Sequence, residues 1–232
     1  LQQLLPDGYT LQKADGSYLT ADERAGFEIL EEVTVVQCVH VFENGTCKNC
    51  GEGCAHREYW TDSSDGHAEG ACKRCGKQVK VAKISYGYVG GTYFGDSYYD
   101  DFNLALQESE WTSGVSIILL ADTSFTRELK LKYVIDLNGH TLTGPKELKI
   151  SEHCALTIED NSETQTGVLQ NAETGTAYFK RIYVCGGTLT VKSGTIAEDI
   201  YYTWGTVDIT GGTFQKEVVF AGNYAPALSG GT

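Results

Sequence analysis

Beyond residue 115 the chain consists of short β-branched runs in which apolar and polar residues alternate, separated by Gly, Asn and Thr. Alternation with a period of two marks strands that bury one face. Four runs align: Ile135-Asp-Leu-Asn-Gly-His-Thr-Leu142, Leu189-Thr-Val-Lys-Ser-Gly-Thr-Ile196, Val207-Asp-Ile-Thr-Gly-Gly-Thr-Phe214, and a looser copy, Leu156-Thr-Ile-Glu-Asp160, closed by Gly167-Val-Leu169. Each reads apolar, polar, apolar, polar, then a Gly turn, then Thr and a further apolar residue. Their starts at 135, 156, 189 and 207 are 21, 33 and 18 residues apart. Such unequal increments fit coils that stack while loops of different length leave one corner. Ile135 and Leu137, Leu189 and Val191, and Val207 and Ile209 would share the core, and an antiparallel sandwich is the competing arrangement.

The earlier chain has a different texture. Two apolar stretches flank a turn at 14–17, with Tyr9, Leu11, Tyr18 and Leu19 on either side, which predicts a hairpin; a second strand candidate covers 27–36. Residues 45–76 carry too few aliphatics to hold themselves together by packing. Tyrosines and glycines alternate from 79 to 102. Asp100 or Asp101 can then cap a short helix whose Phe102, Ala105 and Leu106 share a face. The predicted organisation is a hairpin region over 1–37, a Cys/His module over 38–80, a Tyr/Gly-rich connector with a capping helix over 81–114, and an incomplete β-helix of about four coils over 115–232.

The strongest chemical signal lies in residues 38–75. Cys38-x-His40, Cys47-x-x-Cys50-Gly51, Cys54-x-His56 and Cys72-x-x-Cys75-Gly76 form four ligand pairs in strict order. A Cys-x-x-Cys-Gly turn aims two thiolates at one centre, and a Cys-x-His pair on an extended strand, where residues two apart share a face, completes a tetrahedron. Eight donors suit two structural zinc ions, each held by three Cys and one His. Consecutive pairing groups Cys38, His40, Cys47 and Cys50 at one ion and Cys54, His56, Cys72 and Cys75 at the other. A crossed alternative joins Cys47, Cys50, Cys72 and Cys75, leaving Cys38, His40, Cys54 and His56. A disulfide framework is the competing reading, but it does not require the recurring histidines. His67 reads as a solvated loop residue, and Cys154 and Cys185 as small hydrophobes in the stack.

Charge and composition narrow the function classes. A net charge of −13 opposes binding to a phosphate backbone, so no nucleic-acid partner is expected. The longest apolar run, at 115–121, falls far short of the roughly 18 residues a bilayer span needs. The absence of methionine, residue 1 included, reads as a segment of something larger, any signal peptide lying outside it. Asp136, Glu159, Lys192 and Asp208 face outward but spread over four coils, as a solvated face would, and Asp96, Asp100 and Asp101 read as helix capping rather than a calcium site. No phosphate loop, nucleophile elbow or dinucleotide fingerprint appears, and no enzymatic activity is expected. The unusual feature is the aromatic content: of fourteen tyrosines, Tyr86, Tyr88, Tyr93, Tyr98, Tyr99, Tyr201 and Tyr202, together with Trp204, fall in turn-rich places that suit protein or sugar contact.

The stretch with Gly114-Val-Ser-Ile-Ile-Leu-Leu-Ala-Asp122 and Val134-Ile-Asp-Leu-Asn-Gly-His-Thr-Leu-Thr-Gly144 resembles the opening of β-helix domains in large secreted or wall-anchored proteins of gut Gram-positive bacteria. Leu4-Leu5-Pro6-Asp7-Gly8-Tyr9 and the Cys/His units resemble modules that precede such domains. The resemblance implies a mainly β chain, with a right-handed single-stranded parallel β-helix of the pectin-lyase-like kind preceded by a small zinc-stapled module. It also implies an extracellular adhesin or host-interaction factor whose partner is a host surface or secreted protein or glycan, immunoglobulin among them. The four coils are fewer than carbohydrate-active relatives need for a complete groove, which sets a polysaccharide lyase or hydrolase, or a plain stalk, as the alternatives.

Overall fold

The computed structural model describes residues 9–19, 33–37, 41–43, 46–48, 53–54, 56–63, 66–86, 88–89, 92–93, 95–111, 115–173, 180–222 and 227–232. The chain is mainly β, with one helix among the described residues, and separates into two compact units, Leu1–Val79 and Lys80–Thr232.

In the first unit β1 (Tyr9–Lys13) runs antiparallel to β2 (Val33–Gln37), from Tyr9 opposite Gln37 to Lys13 opposite Val33. The turn at 14–17 is present: Gly16 takes a left-handed φ of +83°, and the Asp15 carboxylate accepts from the Ser17 hydroxyl at 2.7 Å and N–H at 2.8 Å. Beyond it the chain bridges back at Gln12–Tyr18, but the continuous ladder of β1 is with β2 rather than within the hairpin. β3 (Phe42–Glu43) and β4 (Thr46–Cys47) form a short antiparallel pair.

The second unit opens with β5 (Ala82–Ser85), β6 (Tyr88–Val89), β7 (Thr92–Tyr93), β8 (Asp96–Tyr99) and α1 (Phe102–Ser109). Asp101 caps α1 by accepting from the Asn103 N–H at 2.8 Å, and Phe102, Ala105 and Leu106 are buried, as their spacing predicts. β5 lies antiparallel between β8 and β9 (Ser116–Leu119), so the stretch 81–114 supplies sheet as well as connection. Then follow β10 (Thr123–Ser124), β11 (Lys132–Asp136), β12 (Thr141–Gly144), β13 (Glu147–Ser151), β14 (Ala155–Glu159), β15 (Val168–Asn171), β16 (Arg181–Val191), β17 (Thr195–Ile196), β18 (Asp199–Ile209), β19 (Thr213–Phe214), β20 (Val218–Phe220) and β21 (Ala227–Leu228).

These later strands stack in two sheets. The larger runs β20-β18-β16-β14-β11-β9, with β13 also on β16 and β21 on β18; the smaller runs β10-β12-β15-β17-β19. The chain passes from one to the other in each repeat, β11 to β12, β14 to β15, β16 to β17 and β18 to β19. Successive copies pair in parallel. Parallel stacking puts like residues over one another: Ile135, Ile158, Val191 and Ile209 form one column, and Leu142, Leu169, Ile196 and Phe214 another. Burying each such side chain contributes about 1.5–3 kcal/mol. Sequence alignment sets Ile135 over Leu156, whereas the structure sets Tyr133 there and Ile135 over Ile158. The slip is two residues, so the buried face is unchanged. It arises because the first copy carries extra residues at its corner, where Leu137 is buried and Asn138 and Gly139 take positive φ of 46° and 80°.

At the far end, Ala227 and Leu228 pair with Asp208 and Ile209, and the Thr232 N–H reaches the Gly212 carbonyl at 3.0 Å. Residues 227–232 thus repeat the motif once more. The corner glycines are steric necessities: a Cβ on Gly211 would lie 2.1 Å from the Lys192 carbonyl oxygen of the strand beside it.

Candidate metal centre

Cys54, His56, Cys72 and Cys75 bring their ligand atoms within 4.8 Å of one another. Cys72 begins a tight turn closed by Gly76 N–H to the Cys72 carbonyl at 2.9 Å, with Gly76 at a φ of +72° that a side chain would strain. Antiparallel contact fixes this turn against the chain before it: Tyr59 bridges Cys72, Trp60 N–H donates to Ala71 at 2.9 Å, and Lys73 N–H to Glu58 at 3.0 Å. Cys54 and His56 lie just ahead of Glu58, which delivers them to the turn. His56 takes a left-handed φ of 50° where the Cys-x-His spacing predicts an extended strand. A shared face is therefore not what unites this pair.

The contacts are those of a soft-ligand cage. Cys54 Sγ lies 3.5 Å from Cys72 Sγ, and His56 Nδ1 lies 3.4 Å from Cys75 Sγ. Zinc with bonds of about 2.3 Å to sulfur and 2.0–2.1 Å to nitrogen spans such separations. Cys54 and Cys72 are buried, Cys75 and His56 half-buried. Burial pushes the Cys54 thiol up. Burial acts the same way on Cys72, but hydrogen bonding from His56 and from the Arg74 and Cys75 N–H groups outweighs it and brings that thiol down to about 6. Backbone N–H groups gathered around a sulfur favour the thiolate that a metal requires. The four residues fit one metal ion, and their chemistry is consistent with zinc. With all four donors from protein, an ion bound here would hold the turn and the Cys54–His56 segment together.

This grouping is the second of the two consecutive sets. It sets Cys72 and Cys75 against Cys54 and His56, as consecutive pairing does. Of the first set Cys47 is buried against Phe42, while Cys38, His40 and Cys50 lie outside the described residues. His67 stacks on Trp60 at 4.3 Å with the rings 3° from parallel, and Lys73 Nζ lies 5.0 Å from the same ring, so the imidazole serves packing rather than the cage.

Outside the cage, the acids singled out from sequence are engaged. Asp136 is buried and accepts from Asn138 N–H, Asn161 N–H and Asn161 Nδ2, each at 3.0 Å, and Glu159 pairs with Lys192 at 3.0 Å. Asp136 stands beside Glu159 in register, whereas Asp208 neighbours Thr190 and Ala227. The two later cysteines differ: Cys154 is buried and its thiol pushed up to about 11 by burial, while Cys185 is half-exposed, not interior as read. Tyr202 is likewise buried.

Sequence reasoning missed Glu198 and Asp160, and of the aromatic surface it named Tyr201 and Trp204 but not Tyr183 or Arg181. Glu198 is 2% exposed and pairs with Lys180 at 2.8 Å and Lys216 at 2.6 Å. Burial raises its carboxyl, but the two ammonium groups hold it below the usual range. Asp160 accepts four hydrogen bonds at a corner. On the outward face of β16 and β18, Tyr183 and Tyr201 sit side by side with ring centroids 5.9 Å apart, and the Arg181 guanidinium lies 4.7 Å from each ring. Arg181 also donates to Glu147 at 2.9 Å, and Trp204, half-exposed, lies over Gly186. The available signal was the 18-residue increment that relates Tyr183 to Tyr201 as it relates Leu189 to Val207.

No protein-family model, curated protein or solved structure matches the chain. Among the described residues, no helix is long and apolar enough to cross a membrane.

Proposed function

We propose that this chain is a non-catalytic binding segment of a secreted or wall-anchored bacterial surface protein. In this reading the two stacked sheets are the walls of a right-handed single-stranded parallel β-helix, and the Cys/His module holds structural zinc, with Cys38, His40, Cys47 and Cys50 taking a second ion. The partner is a host glycoprotein, immunoglobulin included. The observation that carries the proposal is the outward shelf of Tyr183, Tyr201 and Trp204, with Arg181 clamped on both tyrosine rings and tied to Glu147. Tyr, Trp and Arg dominate binding hot spots because they offer large contact area with little rotamer entropy to lose, and prior fixing of Arg181 lowers that cost further.

The test is capture of proteins from host mucosal secretions on the immobilised chain, compared with a Tyr183→Ala, Tyr201→Ala, Trp204→Ala variant. Capture of a glycoprotein by the wild type, lost in a variant that keeps its circular-dichroism spectrum, supports the reading. No retained partner leaves a stalk.

A polysaccharide-active enzyme is the second reading, and the alignment of Asp136, Glu159 and Lys192 in one column favours it. It needs an acid free to exchange protons. The engagement of Asp136 by Asn138 and Asn161, and of Glu159 by Lys192, argues for a structural role instead.

A further inference from the structure

We propose that Cys54 and Cys72 are a disulfide-forming pair: a peroxide oxidises the metal-loaded cage, links these two sulfurs and expels the ion, while Cys75 remains a thiol beside His56. The proposal rests on the metal reading of the same four residues. Its geometric basis is the sulfur contact. Cys54 Sγ and Cys72 Sγ are 3.5 Å apart and need about 1.5 Å of approach to reach a bond length near 2.05 Å. Cys75 Sγ, by contrast, faces the His56 ring nitrogen at 3.4 Å.

The fold favours the same pair. A Cys72–Cys75 bond would close a turn that the Gly76 N–H to Cys72 carbonyl bond already closes, and would leave the Cys54 segment untethered once the ion departs. A Cys54–Cys72 bond encloses the hairpin in which Tyr59 bridges Cys72 and Trp60 bonds Ala71. It therefore replaces the tie that the metal supplied between those segments. A link closing a longer loop also removes more freedom from the unfolded chain than one within a single turn. Whichever sulfur meets the peroxide first, thiolate exchange among three sulfurs in one cage lets the bond settle on this pair.

The chemistry balances. One thiolate attacks a peroxide oxygen, the O–O bond breaks, and the departing hydroxide takes a proton to become water. The second thiolate attacks the resulting sulfenic sulfur, the S–O bond breaks, and a second hydroxide leaves as water after protonation. Two thiolates, one hydrogen peroxide and two protons become one disulfide and two waters. The sulfurs together lose two electrons and the peroxide gains them. The ion, left with Cys75 and His56, dissociates.

The full chain, reduced, loaded with zinc and freed of reductant, is titrated with hydrogen peroxide. Released zinc is read with a chromogenic chelator. Remaining thiols are alkylated and the chain is mapped by mass spectrometry without reduction. The expected result is zinc release in step with a cross-linked peptide pair carrying Cys54 and Cys72, Cys75 being alkylated, and recovery of both thiols and zinc on adding reductant and metal. Cys75→Ser is expected to keep the cross-link and Cys54→Ser to lose it. A Cys72–Cys75 link, release accompanied only by sulfinic acids, or zinc retained after the half-exposed Cys185 is fully oxidised would overturn the proposal. If the reduced chain takes no zinc, the metal reading fails on its own; the same peroxide mapping of the metal-free chain then upholds or overturns the pairing.

Discussion

Substituting Asn for Asp160 tests how the corners of the second unit are held. Asp160 is 1% exposed. Its Oδ1 accepts from Gly139 N–H at 2.9 Å, Ser162 N–H at 3.1 Å and the Ser162 hydroxyl at 2.7 Å, and its Oδ2 from Gly167 N–H at 2.6 Å. Asparagine keeps the shape and one acceptor oxygen. In its better orientation the amide Nδ2 confronts the Gly167 N–H, donor against donor, and a buried N–H without an acceptor costs about 1–3 kcal/mol. The three bonds left on Oδ1 also lose charge assistance, which roughly halves their strength. The sum is about 3 kcal/mol, or roughly 6–12 °C in Tm for a unit of this size. The pH dependence has a definite sign. Burial raises the Asp160 carboxyl, but bonds from Ser162, Gly167 and Gly139 outweigh it and hold the carboxyl below its ordinary value. A depressed folded-state value means the stabilisation is present above the unfolded value of about 3.9 and is lost as pH falls through the folded one. The gap between wild type and D160N is therefore widest at neutral pH and closes in strong acid. Calorimetry across that range, with hydrogen exchange assigning the transition to the second unit, measures it. A variant within about 1 kcal/mol of wild type at pH 7, or a gap indifferent to acid, refutes the account.

Other consequences are as direct. Ile158→Ala empties a fully buried position between Ile135 and Val191 and is expected to cost about 2–5 kcal/mol in chemical denaturation. Gly211→Ala, whose Cβ falls 2.1 Å from the Lys192 carbonyl, is expected to cost about 1–3 kcal/mol in the same assay, and an unchanged midpoint would contradict the stacking at that corner. Glu198→Ala removes the carboxylate shared by Lys180, which keeps Glu173 at 2.6 Å, and Lys216, whose ammonium reaches solvent, so a loss of about 1.5–3 kcal/mol is expected. Because that carboxyl is held low, the contribution appears above the ordinary carboxylate range and fades as pH falls through the depressed value; a loss that persists undiminished in acid would contradict it. A zinc chelator is expected to abolish amide protection in 70–79 while the melt of Lys80–Thr232 stays put; an equal fall in both would show that the ion does more than hold its own turn.

The alternation beyond residue 115 was legible because a period of two is a property of single residues: Leu189, Val191, Val207 and Ile209 declare their face without help. Register was less so. A Gly one or two residues before the next strand marks the corner in each copy, and counting back from it misplaces β11 by two residues, since nothing in Leu137-Asn138-Gly139 announces that the corner is longer there and swallows an apolar side chain. The cage was legible as ligand types and spacing, yet the extended strand inferred for Cys54-x-His56 gave way to a left-handed His56, because ligand geometry constrains where donor atoms meet and not the backbone that brings them.

Polar residues were the least legible, and for one physical reason. Asp136 reads as an outward acid because acids usually are, and nothing in the sequence singles out Asp160 or Glu198. All three are buried. What brings them inside is the supply of donors at the places where strands turn: the N–H groups of Asn138, Gly139, Asn161, Ser162 and Gly167 for the two aspartates, and two lysines and the Asn171 N–H for Glu198. Asn138, Ser162 and Gly167 are local donors, but those of Gly139, Asn161 and Asn171 come from neighbouring repeats, 21 to 27 positions away. A stack of parallel strands leaves such donors at every corner, and a carboxylate can satisfy several at once. The same economy argues against reading aligned acids on this scaffold as catalytic before their donors are counted: in the Asp136–Glu159–Lys192 column every carboxylate already has its partners.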